Sequence, residues 1–86
     1  MAPEVLIYAL STCPWCRKTK EWFTSQRVPF RAIDVDLLPD EEQQRVADEA
    51  FRLSGGRRFP VTVIDGQVVV GYNPERFLEL LPGAGW

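Results

Sequence analysis

The sequence predicts an α/β fold in which a four-stranded mixed sheet is flanked by three helices. Three observations predict it. The apolar run Val5-Leu6-Ile7-Tyr8-Ala9-Leu10 passes directly into Cys13-Pro14-Trp15-Cys16, a strand running into a paired-thiol turn and a helix. Asp65-Gly66 separates two β-branched runs, the strongest short hairpin signal a sequence offers. Between them the order of periodicities is strand, helix, strand, helix, hairpin, helix. Such a first crossover is expected to be parallel and right-handed, while the hairpin contributes antiparallel strands.

Each element has a local reason. Residues 4–10 read as a strand apolar on both faces, which places it centrally in the sheet. The first helix is expected from about Cys13 to Gln26, with Cys16, Thr19 and Phe23 on its inner stripe and Lys18 and Glu21 facing out. Trp22 adds bulk beside that stripe. Val28 to Asp36 reads as a second strand, demoted to an edge by Pro29, which has no N–H to give to a neighbour. Asp40-Glu41-Glu42 puts negative charge in the first turn of a second helix, the end where the helix dipole favours it. Val46, Ala47, Ala50 and Phe51 form its inner stripe, and Ser54-Gly55-Gly56 ends it. Val61–Ile64 and Gln67–Val70 form the hairpin. Asn73-Pro74 caps and opens a third helix carrying Phe77, Leu78 and Leu81, which Pro82-Gly83 stops. Residues 82–86, Trp86 among them, read as a loose tail.

Composition narrows the function. Eighty-six residues, 45% of them hydrophobic, suit one core and a single domain over residues 1–86. A net charge of −2 with no long basic run gives no reason to expect nucleic acid. The N-terminal apolar run is too short for a signal-peptide core or a membrane span, and no basic leader precedes it. The expected setting is the reducing cytoplasm, where paired thiols are more often catalytic than structural, and the expected state is a monomer.

Cys13 and Cys16 are the only cysteines in the chain. With Pro14 as the first helical residue, Cys13 stands at the helix N-terminus, among unpaired N–H groups and the positive dipole end. Thiols in that environment can fall from about 8.5 to roughly 3.5–7.5, and the thiolate is the nucleophile of disulfide exchange. Cys16, three residues on, lies over Cys13 on the same face, close enough to close a disulfide. The plainer readings explain less. A structural bond within one helical turn constrains little of the unfolded chain. A zinc site needs about four ligands, and the chain has no histidine and no third cysteine. Two inert buried thiols fit poorly with Pro-Trp between them at a helix start.

The element order and three motifs, Thr12-Cys13-Pro14-Trp15-Cys16, Phe59-Pro60-Val61 and Val70-Gly71-Tyr72-Asn73, resemble the glutaredoxin branch of the thioredoxin superfamily. The resemblance runs from about Val5 to Leu81. It implies a thioredoxin-like, glutaredoxin-type fold and a dithiol–disulfide oxidoreductase in which Cys13 attacks and Cys16 resolves. It also implies a cis Pro60 facing the dithiol, with the Phe59 N–H and C=O open to an extended substrate. Its partners would be a disulfide-containing protein or a small disulfide as substrate, and glutathione or thioredoxin reductase as the reductant that returns the oxidised protein to the dithiol. The chemistry requires no resident cofactor, with glutathione serving as co-substrate.

The same resemblance marks the substrate side. Thr12, Pro14 and Trp15 surround the thiols, and Arg57 and Arg58 precede Phe59, where one of them could hold a glycyl carboxylate. Arg17 and Lys18 follow Cys16 as helix surface. Gly71-Tyr72-Asn73 falls where glutathione-using relatives commonly have a second glycine, a small residue and an aspartate. Backbone N–H groups there would hold the γ-glutamyl carboxylate. Bulky Tyr72, neutral Asn73 and the lack of a basic residue at positions 10–12 depart from that pattern and weigh against tight glutathione use. Trp15 and Tyr72 are the aromatics expected to flank the dithiol, while Trp22, Phe23, Phe30, Phe51 and Phe77 belong to the core. The alternative from another class is an iron–sulfur or metal carrier, with Cys13 of two chains and two outside thiols holding one cluster. Pro14 stiffens a turn that cluster-binding relatives often relax.

Overall fold

The computed structural model describes residues 4–56 and 58–81. Arg57, the Pro82-Gly83 helix stop and the tail over 82–86 lie outside the described residues. The elements follow the expected order: β1 (Val5–Ala9), α1 (Pro14–Ser25), β2 (Arg31–Asp34), α2 (Asp40–Ser54), β3 (Val61–Ile64), β4 (Gln67–Val70) and α3 (Pro74–Leu80). The sheet order is β2-β1-β3-β4. β1 is central and runs parallel to β2, with Ala9 opposite Asp34. It runs antiparallel to β3, with Tyr8 opposite Val61. β4 closes the other edge.

The two faces of the sheet bury different helices. Ile7, Ala9, Ile64 and Val69 pack with Cys16, Phe23, Phe77 and Leu81, so α1 and α3 share one face. Tyr8 and Val61 pack with Ala50 of α2 on the other. Phe23 and Phe77 are fully buried with ring centroids 5.0 Å apart. Each such ring contributes about 1.5–3 kcal/mol by leaving water, and Trp22 of α1 adds a second ring contact to Phe77, 5.3 Å between centroids. Asp65 and Gly66 both have positive φ, 48° and 87°, as a two-residue hairpin loop requires. The Asp65 N–H also donates to the Glu4 carbonyl, and the Glu4 N–H to the Asp65 carboxylate.

Two expectations need correction. The second strand does not span Val28 to Asp36. Val28 closes the end of α1, donating its N–H to the Phe23 carbonyl, and only Arg31–Asp34 pair with β1. Val35–Leu37 then form a 3-10 turn. Leu78 is not core: α3 has seven residues, Phe77 and Leu81 occupy its inner face one turn apart, and Leu78 is turned away and 43% exposed.

Candidate active site

The dithiol sits where β1 hands over to α1. Cys13 is the N-cap residue, in extended conformation, and Pro14 takes the first helical position, where its missing N–H leaves no gap. The Cys16 N–H donates to Cys13 Sγ at 3.3 Å, so the first sulfur caps the helix that carries the second. Both cysteines are free thiols. Their surroundings differ. Cys13 is part-exposed, whereas Cys16 is fully buried and its Sγ accepts the Leu10 N–H at 3.5 Å. Burial, with the Cys13 side chain adding to it, pushes the Cys16 thiol up to about 12.

Around this pair the chain builds an aromatic border. Trp15 is 54% exposed, its ring centroid 6.0 Å from that of Tyr72, and Lys18 Nζ lies 5.0 Å from the centre of the Trp15 ring. That is within the range of cation–π attraction. Tyr72 in turn stands edge-on to Phe77 of the core. Phe59 packs against both sides of the sheet and meets Phe51 edge-on.

Phe59-Pro60 is a cis peptide bond, as the resemblance implied. Among the described residues nothing hydrogen-bonds to the Phe59 backbone, while the Pro60 carbonyl accepts the Gly71 N–H at 2.8 Å. Gly71 reaches that geometry at φ 83°, a conformation suited to glycine. Its N–H is thereby committed. The Asn73 side chain caps α3 by accepting the Arg76 N–H at 3.2 Å, and the Tyr72 and Asn73 N–H groups have no partner among the described residues.

Thr12 and Pro14 are exposed beside the dithiol, and Arg58 is exposed with no ion pair among the described residues. The contacts of this neighbourhood join Cys13 to Cys16, Trp15 to Tyr72 and Pro60 to Gly71, and Cys13, Phe59 and Tyr72 pack on the same core cluster; Asn73 binds only its own helix start, and Arg58 makes no ion pair among the described residues. Four residues in the same neighbourhood escaped the sequence reading. The Asp36 carboxylate accepts both the N–H and the hydroxyl of Ser11, and Lys20 Nζ pairs with Asp34 at 2.6 Å. Lys20 carried a usable signal, a charge four residues after Cys16 on the inner stripe. Asp34 and Asp36 carried none without the β1–β2 register.

No group of three or more potential metal ligands occurs among the described residues, and no helix there is long and apolar enough to cross a membrane.

A dithiol that caps a helix at the end of the central strand, with a cis proline entering the antiparallel neighbour at the same end of the sheet, defines a thioredoxin-fold redox protein. The glutaredoxin family model matches residues 5–69. A Clostridium pasteurianum relative, described as an uncharacterized glutaredoxin-like 8.6 kDa protein in the rubredoxin operon, is 36% identical over 77 residues, covering 90% of this chain and 96% of the relative. The structure of glutaredoxin Grx-1 from Archaeoglobus fulgidus superposes with a TM-score of 0.85 at 41% identity, over 91% of this chain and 85% of that one. The glutaredoxin-like NrdH-redoxin of Escherichia coli, described by its thioredoxin-like activity profile, gives 0.72 at 29% identity, over 93% and 97%. The chain belongs to the glutaredoxin family and is a thiol–disulfide oxidoreductase.

Proposed function

We propose that this protein reduces protein and small-molecule disulfides through Cys13-Pro14-Trp15-Cys16 in a two-cysteine cycle. The Cys13 thiolate attacks one sulfur of the substrate disulfide. A mixed disulfide forms, the substrate S–S bond breaks, and the first substrate sulfur leaves as a thiolate that takes up a proton. Cys16 then gives up its proton and attacks Cys13 Sγ, releasing the second substrate sulfur. The substrate gains two electrons and the protein is left with a Cys13–Cys16 disulfide. The observation that carries this reading is the asymmetry of the pair: Cys13 is reachable and caps a helix N-terminus, and Cys16 is buried behind it.

A protein substrate would lie extended beside Phe59, whose open N–H and C=O offer two strand-type hydrogen bonds at the end of the sheet where β1 leads into the dithiol. Trp15 and Tyr72 would border its side chains. Such a dithiol suits the reducing cytoplasm, and one chain is sufficient for the cycle.

Oxidised protein must be returned to the dithiol by glutathione or by thioredoxin reductase, and the chain's features favour the reductase. Asn73 uses its side-chain oxygen as a helix cap and offers no charge to the glutathione ammonium. Tyr72 fills the adjoining space against Trp15 and Phe77. A charge-assisted hydrogen bond is worth about 1.5–3 kcal/mol, one to two decades in affinity. The thioredoxin-like profile named for the Escherichia coli relative supports the same choice. The test offers oxidised protein NADPH with thioredoxin reductase, or with glutathione and glutathione reductase, and compares rates. The reductase arm is expected to be faster, and Asn73→Asp is expected to raise the glutathione arm about tenfold. Brisk glutathione turnover that Asn73→Asp leaves unchanged would overturn this choice of reductant.

A further inference from the structure

The resolving step poses a problem that the dithiol alone does not solve. Cys16 is fully enclosed, and its sulfur must become a thiolate inside the protein before it can attack. A buried anion without a countercharge is disfavoured by its loss of hydration. The Leu10 N–H is one compensating dipole. Among the cations, it is Lys20 whose charge acts on the Cys16 thiol.

Lys20 follows Cys16 by four residues, so the two side chains lie one turn apart along the same face of α1. That face is the buried one, with Thr19 and Phe23 beside it. Lys20 does not escape to solvent. Its ammonium is fixed at 2.6 Å from Asp34, and both side chains are less than a third exposed. Asp34 ends β2 opposite Ala9 of β1, one residue before Leu10, whose N–H already touches Cys16 Sγ. Helix and sheet therefore bring the ion pair and the second sulfur to one place. The charged and titratable groups around Cys16 are Cys13 and Lys20 on its own helix and Asp34 on β2. From α3 come apolar Phe77 and Leu81, and Tyr8 of β1 points to the opposite face of the sheet.

We propose that the Lys20–Asp34 pair is a positioning device for the resolving half of the reaction: Asp34 holds the Lys20 ammonium beside Cys16, where it stabilises the thiolate that attacks Cys13 Sγ. This rests on the assignment of Cys16 as the resolving thiol. The Cys16 proton leaves to water, the Cys13–substrate S–S bond breaks as the Cys13–Cys16 bond forms, and the departing substrate thiolate is protonated. The positive contribution of Lys20 opposes the upward pull of burial on the Cys16 thiol.

The test follows reduced protein mixed with 2,2′-dithiodipyridine, a neutral disulfide, in a stopped-flow absorbance experiment. The first thiopyridone is released when Cys13 attacks, in a phase that depends on reagent concentration. The second is released when Cys16 resolves the adduct, in a phase that does not. In Lys20→Met the first phase should match wild type, and the second should slow about threefold: one pK unit lowers the thiolate population about tenfold, and the greater nucleophilicity of the more basic thiolate returns about a factor of three. The pH midpoint of the second phase should rise with it, and Lys20→Arg should restore both. Asp34→Ala, which removes the acceptor that holds the Lys20 ammonium in place, should slow the second phase in the same sense, and it carries the test if the methionine variant does not fold. A second phase within twofold of wild type in a folded variant, or equal slowing of both phases, would overturn the proposal. A wild type with no second phase would instead remove Cys16 as the resolving thiol.

Discussion

Asp36 accepts hydrogen bonds from both the N–H and the hydroxyl of Ser11, 25 residues earlier in the chain. The loop that delivers Cys13 to its helix is thereby tied to the turn after β2. The two bonds, the hydroxyl's first, hold the Asp36 carboxyl below the usual carboxylate range.

That shift has a sign. A carboxyl with a lowered folded-state pKa adds stability above its unfolded value of about 3.9, and this is lost as pH falls through the folded value. Wild type should therefore unfold at higher urea than Asp36→Asn near neutral pH. The gap should narrow as the pH is taken below the ordinary carboxylate range. A gap that does not change with pH would assign the loss to something other than these bonds.

Arg27 holds φ at 58° to finish α1, a conformation usually left to glycine. Left-handed strain in a side-chain-bearing residue is about 1–2 kcal/mol, against about 0.4–1 kcal/mol for the extra freedom glycine gives the unfolded chain. Arg27→Gly should therefore stabilise by about 0.5–1 kcal/mol in urea titrations. Arg27→Ala, which keeps a Cβ, should give no such gain.

Thr62 lies fully buried in β3 between Ile7 and Val69, and its hydroxyl has no hydrogen-bond partner among the described residues. Valine has nearly the same shape without the polar atom, so Thr62→Val should stabilise by about 1–2 kcal/mol. Thr62→Ser should destabilise, since it keeps the hydroxyl and leaves a gap where the methyl was. Denaturant midpoints of the three proteins at one pH would decide.

Much of this fold was legible because its signals are local. Cys13-Pro14 announces a helix start through the needs of the first turn alone, and Asp65-Gly66 a two-residue hairpin; both occur as read. The apolar stretch Val28 to Phe30 reads as strand because burial and strand pairing leave the same apolar signal. Val28 is buried as the close of a helix, and pairing begins at Arg31. Leu78 misled because a seven-residue helix has room for only a narrow inner face. The supporting polar contacts were illegible for a different reason. Ser11–Asp36 and Lys20–Asp34 exist only once β1 and β2 are in register, and nothing local to any of the four residues specifies that register.

The central claim is that Cys13 is the attacking thiol and Cys16 the resolving one. It is tested most directly by incubating Cys16→Ser and Cys13→Ser, each reduced, with glutathione disulfide and mapping the adducts by mass spectrometry. Cys16→Ser should accumulate a mixed disulfide on Cys13, having no second thiol to release it. Cys13→Ser should remain unmodified over the same interval, because its remaining sulfur is enclosed and its thiol is pushed up to about 12. Rapid trapping on Cys16 in Cys13→Ser, with Cys16→Ser left unmodified, would reverse the two roles and contradict the account.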